Sequence, residues 1–255
     1  MLKHIDKIKI CTHYTDLRER LFVKTLCDLF NDIANEQTLS LKFDVGTLNA
    51  RGLTWMLHKL HIVVSHMPRK DDTVILETWP SGIDRLFALR DFQMMTTEGE
   101  VLLRATSEWM VIDLARRRPV RLPEVVIEAA KSCEGFERKL GFDLNTKEVP
   151  SEYESGRHFV ATYDNIDFNK HVTQATYVGW VTNSLSFDFL KNHELRELEI
   201  VYEHEIMPDS EIYSCQQRVE EKEGEIVIFH RVMNETCEKT HCVAKTVWCE
   251  MKTGE

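Results

Sequence analysis

The segment DNIDFNKHVTQATYVGW, residues 164–180, places three polar side chains at alternate positions just before a long uncharged stretch. They are Asp167, Asn169 and His171. A histidine can activate water or protonate a leaving thiolate, and an asparagine amide can hold a carbonyl or a water molecule. Free N–H groups at a helix start can stabilise an oxyanion. With Asp167 orienting its neighbours, the set suits chemistry on an acyl group.

The same residue types are also common in turns and caps at helix starts, because their side chains accept hydrogen bonds from free N–H groups. The spacing alone leaves both interpretations open. An internal comparison favours a site. Aligning HYTDLRERLF with TYDNIDFNKH through their tyrosines, Tyr14 and Tyr163, places three different residues opposite the set, namely Arg18, Arg20 and Phe22. A requirement of the scaffold would apply to both copies, so the difference points to chemistry in the second.

Glu205, in the segment LEIVYEHEI, is a fourth candidate. Strand alternation puts it on one face with Glu199 and Glu203, which is typical of a solvated acidic face. A carboxylate at this position can also act as a base for water. Met67 occupies the matching position in the first half of the chain, so the two halves again differ at a candidate residue.

The elements that must position these residues occur twice along the chain. LHIVVSHMPRKDD, from Leu60, lies over LEIVYEHEIMPDS, from Leu198, and the order of elements repeats as well, which indicates a duplicated unit. In the first half, an extended KIKICTHYT precedes a helix over 21–43 and strands near 54–66, 73–83, 86–97 and 101–114. In the second half, an extended RHFVATY precedes a helix from the motif to about 191 and strands near 194–206, 210–221, 225–234 and 239–251.

A unit of one long helix and four antiparallel strands must bury its helix against the sheet. The second helix carries no charge from His171 to Phe187, so we expect it to be enclosed nearly all round by the sheet. The predicted fold is α+β, with an N-terminal unit over 1–120, a linker over 121–150 that could hold a short helix, and a C-terminal unit over 151–255.

Composition excludes several classes of protein. With 255 residues, 43% of them apolar, and a net charge of −10, the chain can form a real core, and its field repels nucleic acid and anionic membranes. The first residues resemble no signal or transit peptide, and no apolar run suits a membrane span, so we expect a cytoplasmic protein. Seven cysteines without a CxxC pair, Cys133 among them, argue against a disulfide framework or a structural zinc site. The densest basic cluster is either a solvated loop or an anion-docking surface, and it consists of Arg116, Arg117, Arg118 and Arg121.

The chain resembles the acyl-acyl carrier protein thioesterases of plant plastids and bacteria, which have two tandem hot-dog units. RGLTWMLHKLHIVVSHMPRKDDTVILETWPSG, LLRATSEWMVIDLARRRPVRLPEVV and DNIDFNKHVTQATYVGWV look like blocks of this family, in its order. The resemblance carries the family's Asp-x-Asn-x-His pattern onto Asp167, Asn169 and His171. YEHEI matches a family segment that contains glutamate and cysteine, so Glu205 corresponds to the glutamate and Ile206 replaces the cysteine.

The resemblance implies hydrolysis of fatty acyl-acyl carrier protein in the C-terminal unit, with the N-terminal unit shaping the acyl pocket. Ile206 removes a cysteine nucleophile at that position, which favours direct attack by water with Glu205 or His171 as general base. The implied partner is acyl carrier protein with a phosphopantetheine-linked acyl chain, docked on the arginine cluster. No cofactor or metal is implied, and a monomer or a homodimer is open. The absence of a transit peptide fits the bacterial branch. Two alternatives stay open: an acyl-coenzyme A thioesterase of the same fold, and an acyl-binding module whose catalytic site has decayed.

Overall fold

The structure is a computed structural model that describes residues 3–132, 140–147, 149–222 and 224–251, so Cys133, one of the seven cysteines, lies outside the described residues. The chain forms two compact units. The first takes in the described residues up to Phe22 and from Asp28 to Gly141. The second takes in Val23–Cys27 and the described residues from Phe142 onward.

The first unit is built on an antiparallel sheet with strand order β1-β3-β4-β5-β2, and β6 pairs with β5. The elements of the first half are β1 (His4–Lys9), a 3-10 turn (Thr12–Tyr14), α1 (Val23–Ser40), α2 (Val45–Asn49), β2 (Leu53–Val64), β3 (Thr73–Asp84), β4 (Phe87–Thr96), β5 (Val101–Asp113), β6 (Arg118–Val120) and α3 (Glu124–Lys131). The apolar side of α1 packs on the sheet, where Phe30 stacks on Phe92 with ring centroids 4.4 Å apart. The sheet therefore covers the helix as the alternating strand pattern predicts.

The second unit repeats this arrangement with strand order β8-β11-β10-β9-β7. Its elements are β7 (Ser155–Val160), a 3-10 turn (Tyr163–Asn165), α4 (Gln174–Asn183), α5 (Phe187–Asn192), β8 (His193–Tyr202), β9 (Glu211–Lys222), β10 (Glu225–Asn234) and β11 (Thr240–Glu250). All side chains from Ala175 to Val181 are buried. The prediction that this helix is enclosed nearly all round is confirmed, as is the α+β fold.

One predicted helix needs correction, and two short elements are additional. The helix expected from the motif to about residue 191 is two helices, because Ser184 hydrogen-bonds back to Val181 O and Ser186 caps α5 by accepting from Phe189 N. The short elements α2 and β6 were not predicted. No helix among the described residues is long and apolar enough to cross a bilayer.

The strand expected over 194–206 ends at Tyr202, so its alternation does not extend to Glu205. The next two backbone N–H groups, of Glu203 and His204, both donate to His241 O, and the chain then leaves the sheet. The prediction that Glu199 lies on a solvated acidic face is also wrong. That side chain is fully buried and accepts a hydrogen bond from Leu144 N at 3.0 Å.

Candidate active site

Residues 167–171 form a tight turn, called here the Asp167 turn. Asp167 N donates to His171 O at 2.8 Å and Lys170 N donates to Asp167 O at 2.9 Å, while Lys170 adopts a left-handed φ of 66°. The Asp167 carboxylate lies inside the turn, where one oxygen accepts from Asn169 N at 2.8 Å and from His171 N at 3.2 Å. The aspartate thus holds the backbone that presents Asn169 and His171.

The Asp167 turn precedes α4 and is not part of it. The helix begins at Gln174, and the side chain of Thr173 caps it by accepting from Thr176 N. The expectation that His171 lies in the first turn of the helix is therefore wrong. The backbone closes on itself through Asp167 before helical hydrogen bonding begins, so the free N–H groups of the helix start lie beyond the three residues.

Glu205 reaches the Asp167 turn through the segment 203–206, called here the Glu205 segment. Val172 N donates to Ile206 O at 3.0 Å, which fixes the segment beside the end of the turn. The Nε2 atom of His171 lies 3.5 Å from a carboxylate oxygen of Glu205. The two side chains are 24% and 35% exposed, so solvent can reach an imidazole and a carboxylate that face each other.

Asn169 is the third member of this group. Its amide Nδ2 donates a long hydrogen bond of 3.4 Å to the second oxygen of Asp167, which orients the amide. The structure therefore gathers Asp167, Asn169, His171 and Glu205 in one place. Ile206, where the resembling family has cysteine, is buried.

The first unit contains the same turn at residues 16–20, called here the Asp16 turn. Asp16 N donates to Arg20 O at 2.8 Å and Glu19 N to Asp16 O at 2.9 Å. The Asp16 carboxylate accepts from Arg18 N at 2.8 Å and from Arg20 N at 3.0 Å. Glu19 has a φ of 61°, matching the left-handed residue of the Asp167 turn. The two turns share their backbone hydrogen bonds one for one.

This equivalence corrects the alignment made through the two tyrosines. Tyr14 is the last residue of its 3-10 turn, whereas Tyr163 is the first residue of the other, so Tyr14 matches Asn165. The carbonyls of Tyr14 and Asn165 each accept a backbone N–H bond of 2.9 Å from the second residue after the Asp16 turn or the Asp167 turn. The true counterparts are Asp16 for Asp167, Arg18 for Asn169 and Arg20 for His171. The aspartate is common to both turns and serves the backbone. Of the three candidate residues, only Asn169 and His171 differ between the two turns.

The match of Met67 with Glu205 is unaffected by that correction. Ser65 N and His66 N both donate to Leu102 O, as Glu203 N and His204 N donate to His241 O. His241 and Tyr177 contact the Glu205 segment but were not among the predicted site residues. The segments ATSEW, which ends at Trp109, and AKTVW, which ends at Trp248, match between the two halves, and extending this match places Leu102 opposite His241.

The arginine cluster lies in the first unit: Arg116 and Arg117 are on the hairpin that joins β5 to β6, Arg118 begins β6, and Arg121 follows it. All four of its side chains are exposed. Arg116 N donates to Asp113 Oδ1 at 2.8 Å, and the Arg116 guanidinium stands 3.9 Å from the same carboxylate. The cluster is therefore exposed to solvent, as either a solvated loop or an anion-docking surface would be.

Within the part of the chain that the structure describes, no group of three possible metal ligands includes a residue of the Asp167 turn, and two buried thiols are held protonated. Cys242 is fully buried, and burial raises the pKa of its thiol, as it raises the pKa of Cys215 to about 12, so both remain protonated. In the first unit, His4, Asp6 and Glu36 bring ligand atoms within 4.8 Å of one another, but none of them belongs to the turn.

Comparisons with known proteins identify the family of both halves. Residues 2–130 match the model of the acyl-ACP thioesterase N-terminal domain, and residues 148–250 match that of the C-terminal domain. An oleoyl-acyl carrier protein thioesterase from Arabidopsis thaliana is 24% identical over 80% of this chain and 60% of its own length. A palmitoyl-acyl carrier protein thioesterase from Gossypium hirsutum is 30% identical over 64% of this chain and 41% of its own length. The chain thus spans about 60% or less of these two relatives.

Solved structures share the fold over nearly the whole chain. A Lactobacillus plantarum protein assigned as an oleoyl thioesterase is 20% identical, covers 98% of this chain and 97% of its own, and has a TM-score of 0.89. The 12:0-ACP thioesterase from Umbellularia californica is 19% identical, covers 98% of this chain and 94% of its own, and has a TM-score of 0.81. These likenesses show the hot-dog fold in both units. With both domain models matched in order, the chain belongs to the acyl-ACP thioesterase family.

Proposed function

We propose that the protein hydrolyses the thioester of fatty acyl-acyl carrier protein to a free fatty acid and the carrier protein. The observation that carries this proposal is the pairing of His171 Nε2 with the Glu205 carboxylate at 3.5 Å, beside Asn169, in a chain of this family. The C-terminal unit supplies catalysis. The N-terminal unit, whose equivalent turn has arginines, shapes the acyl pocket.

In the proposed reaction, water attacks the thioester carbonyl directly. Glu205 takes a proton from the water as its oxygen bonds to the carbonyl carbon, and the Asn169 amide N–H holds the carbonyl oxygen. Glu205 passes this proton to His171 Nε2, which lies 3.5 Å away, and His171 gives it to the departing thiolate as the C–S bond breaks. Ile206 offers no nucleophile, so no covalent acyl-enzyme intermediate forms at that position. Asp167 supports the turn and takes no part in proton transfer.

The test is an assay of the purified protein on carrier-linked acyl chains of graded length and on the matching coenzyme A esters. We expect Asn169→Ala, His171→Ala and Glu205→Gln each to lower kcat on the carrier-linked substrate by about two to three powers of ten. Arg18→Ala and Arg20→Ala alter the equivalent Asp16 turn and are the matched controls. They should keep kcat within about twofold, because no reacting group belongs to that turn.

Three results would overturn the proposal or narrow it. Full activity in both Asn169→Ala and His171→Ala would remove the site. Turnover of the coenzyme A esters alone would identify the protein as an acyl-coenzyme A thioesterase of the same fold. Tight binding of acyl chains without release of free thiol would identify an acyl-binding module.

A further inference from the structure

Two side chains hold the backbone of the Glu205 segment. His241 Nδ1 lies 3.1 Å from Glu205 O and 3.4 Å from His204 O, and Tyr177 donates its hydroxyl to His204 O at 3.2 Å. The β8 ladder ends at Tyr202, so these contacts act where the regular pairing of the sheet has stopped. Together with the bond from Val172 N to Ile206 O, they engage three successive carbonyls, those of residues 204–206.

The chemistry of these contacts fixes the state of the His241 ring. A carbonyl oxygen only accepts hydrogen bonds, so Nδ1 must carry the proton that it shares with Glu205 O. The ring is buried, and burial is the main cause that lowers its pKa, with the charge of Lys239 acting in the same direction and the two carbonyl contacts opposing it. A neutral imidazole with its proton on Nδ1 is thus the form that supports the segment.

The first unit shows that the scaffold does not require an imidazole here. Leu102 occupies the position of His241, and its backbone carbonyl accepts two N–H bonds of 2.9 and 3.1 Å. The carbonyl of His241 accepts the equivalent pair at 2.8 and 3.1 Å. In α1, Leu26 occupies the position that corresponds to Tyr177. Both added donors therefore occur in the copy that has a carboxylate at 205 and are replaced by leucine in the copy that has Met67.

We propose that His241 is a positioning residue for hydrolysis: its Nδ1–H holds the backbone carbonyl of Glu205 and so fixes the carboxylate against His171. Tyr177 does the same at the carbonyl one residue earlier. The inference rests on the proposed function, because it assigns a role only if Glu205 acts on water. Its physical basis is that a reacting group displaced by about 1 Å can cost a factor of about 100 in rate.

The decisive variants are His241→Leu, which copies the first unit, and His241→Asn, whose amide N–H can replace the Nδ1 donor. We expect His241→Leu to lower kcat about 10- to 100-fold with KM changed less than about twofold, and His241→Asn to recover most of that loss. If His241→Leu fails to fold, Tyr177→Phe removes only a hydroxyl, and we expect it to lower kcat about three- to tenfold. Circular dichroism melting checks the fold of each variant.

A double-mutant cycle separates positioning from a general effect on the fold. In a Glu205→Gln background, His241→Leu should lower the residual kcat by less than about twofold, because the group that it positions is already gone. An equal loss of kcat in both backgrounds would overturn this inference alone. So would an unchanged kcat in the single variant His241→Leu when the single variant Glu205→Gln has a lowered kcat. Full activity of Glu205→Gln would instead contradict the proposed function.

Discussion

At the scale of single residues, the aspartates of the two turns make the same backbone hydrogen bonds, although the side chains beside them differ. Asp16 and Asp167 each accept two backbone N–H bonds from the residues two and four positions later. A carboxylate that accepts such bonds contributes more than a neutral acceptor, because one partner is charged. The aspartate is therefore part of the scaffold in both units, and the proposed catalysis depends on its neighbours.

We expect Asp16→Asn and Asp167→Asn each to lower the free energy of unfolding by about 1 kcal/mol, because the amide is a weaker acceptor for the two N–H groups. Only Asp167→Asn should also lower kcat, since that turn presents Asn169 and His171. Urea denaturation and steady-state assays of the two variants provide the measurements. A loss of activity in Asp16→Asn at unchanged stability would contradict this division.

His230 is a second residue whose environment sets its chemistry. It is fully buried, with Nε2 2.8 Å from Thr246 Oγ1 and Nδ1 3.4 Å from Ser184 Oγ. Ser184 donates its own proton to Val181 O at 2.7 Å, so it accepts from His230 Nδ1–H, and Thr246 donates to Nε2. Burial lowers the pKa of His230 to about 3, and the imidazole is neutral in the folded protein.

This lowered pKa makes stability depend on pH. The unfolded chain binds a proton at His230 below a pH of about 6.5 while the folded chain does not, so stability is full above that pH and falls as the pH decreases toward 3. Between pH 7.5 and 5.5, His230 should account for a loss of about 1.4 kcal/mol. Phe92 pairs with Ala105 in the first unit as His230 pairs with Ala244 in the second, so His230→Phe copies the first unit and should lose less by that amount in urea titrations at the two pH values. Equal losses in both proteins would refute the assignment.

At the scale of elements, local sequence patterns predicted the bounds of those helices and strands that neighbouring residues define. The strand expected over 225–234 is observed as Glu225–Asn234, because alternating residues and flanking turn residues define it without reference to the rest of the chain. The break between α4 and α5 was missed because two serine side chains compete for backbone groups within an otherwise apolar run.

The candidate site could be predicted in part, because some of its residues stand out in the local sequence. Asn169 and His171 stood out by spacing and by comparison of the two halves, although the alignment through the tyrosines was shifted by two residues and hid the aspartate that both turns share. The contact of Glu205 with His171 depends on where β8 ends. That end is set by hydrogen bonds to His241, which is distant in sequence, so strand alternation alone assigned Glu205 to the wrong setting.

The pairing of β7 with β9 depends on one small residue. Gly156 lies opposite Cys215, and a Cβ atom at Gly156 would stand 2.5 Å from Tyr213 Cζ and 2.8 Å from the backbone carbonyl of Ser214. We expect Gly156→Ala to lower the free energy of unfolding by about 1 to 3 kcal/mol, because the strand must shift to relieve the overlap. Gly141→Ala, where a Cβ meets nothing within 4 Å, is the matched control and should be close to neutral. Equal urea midpoints for the two variants would count against the clash.

At the scale of the whole molecule, net charge and the arginine cluster oppose each other. The chain carries a net charge of −10, which repels an acidic carrier protein over long distances. The exposed arginines at 116–118 and 121 offer a local attraction. If the carrier docks there, the local attraction must exceed the general repulsion at short range, and salt will screen both.

We expect kcat/KM for a carrier-linked substrate to fall as salt rises from about 0.05 to 0.5 M in the wild-type protein, because screening weakens docking. In Arg116→Glu/Arg118→Glu the two new glutamates cancel the charges of Arg117 and Arg121, so the general repulsion dominates and salt should raise a much lower kcat/KM. The same enzyme acting on a short coenzyme A ester is the reference and should change little on substitution. An unchanged salt response of the double variant would locate docking elsewhere.

Because the Asp16 and Asp167 turns share their backbone hydrogen bonds, substitutions in the Asp167 turn can abolish the proposed chemistry without changing the fold of the turn. The Asp16 turn keeps its hydrogen bonds with arginines in place of Asn169 and His171, so those two positions tolerate side chains with no catalytic ability. If the proposed function holds, drift at Asn169, His171 or Glu205 would abolish hydrolysis and leave a folded protein. Natural variants should accordingly be judged by turnover, since good expression carries no information about whether the site survives.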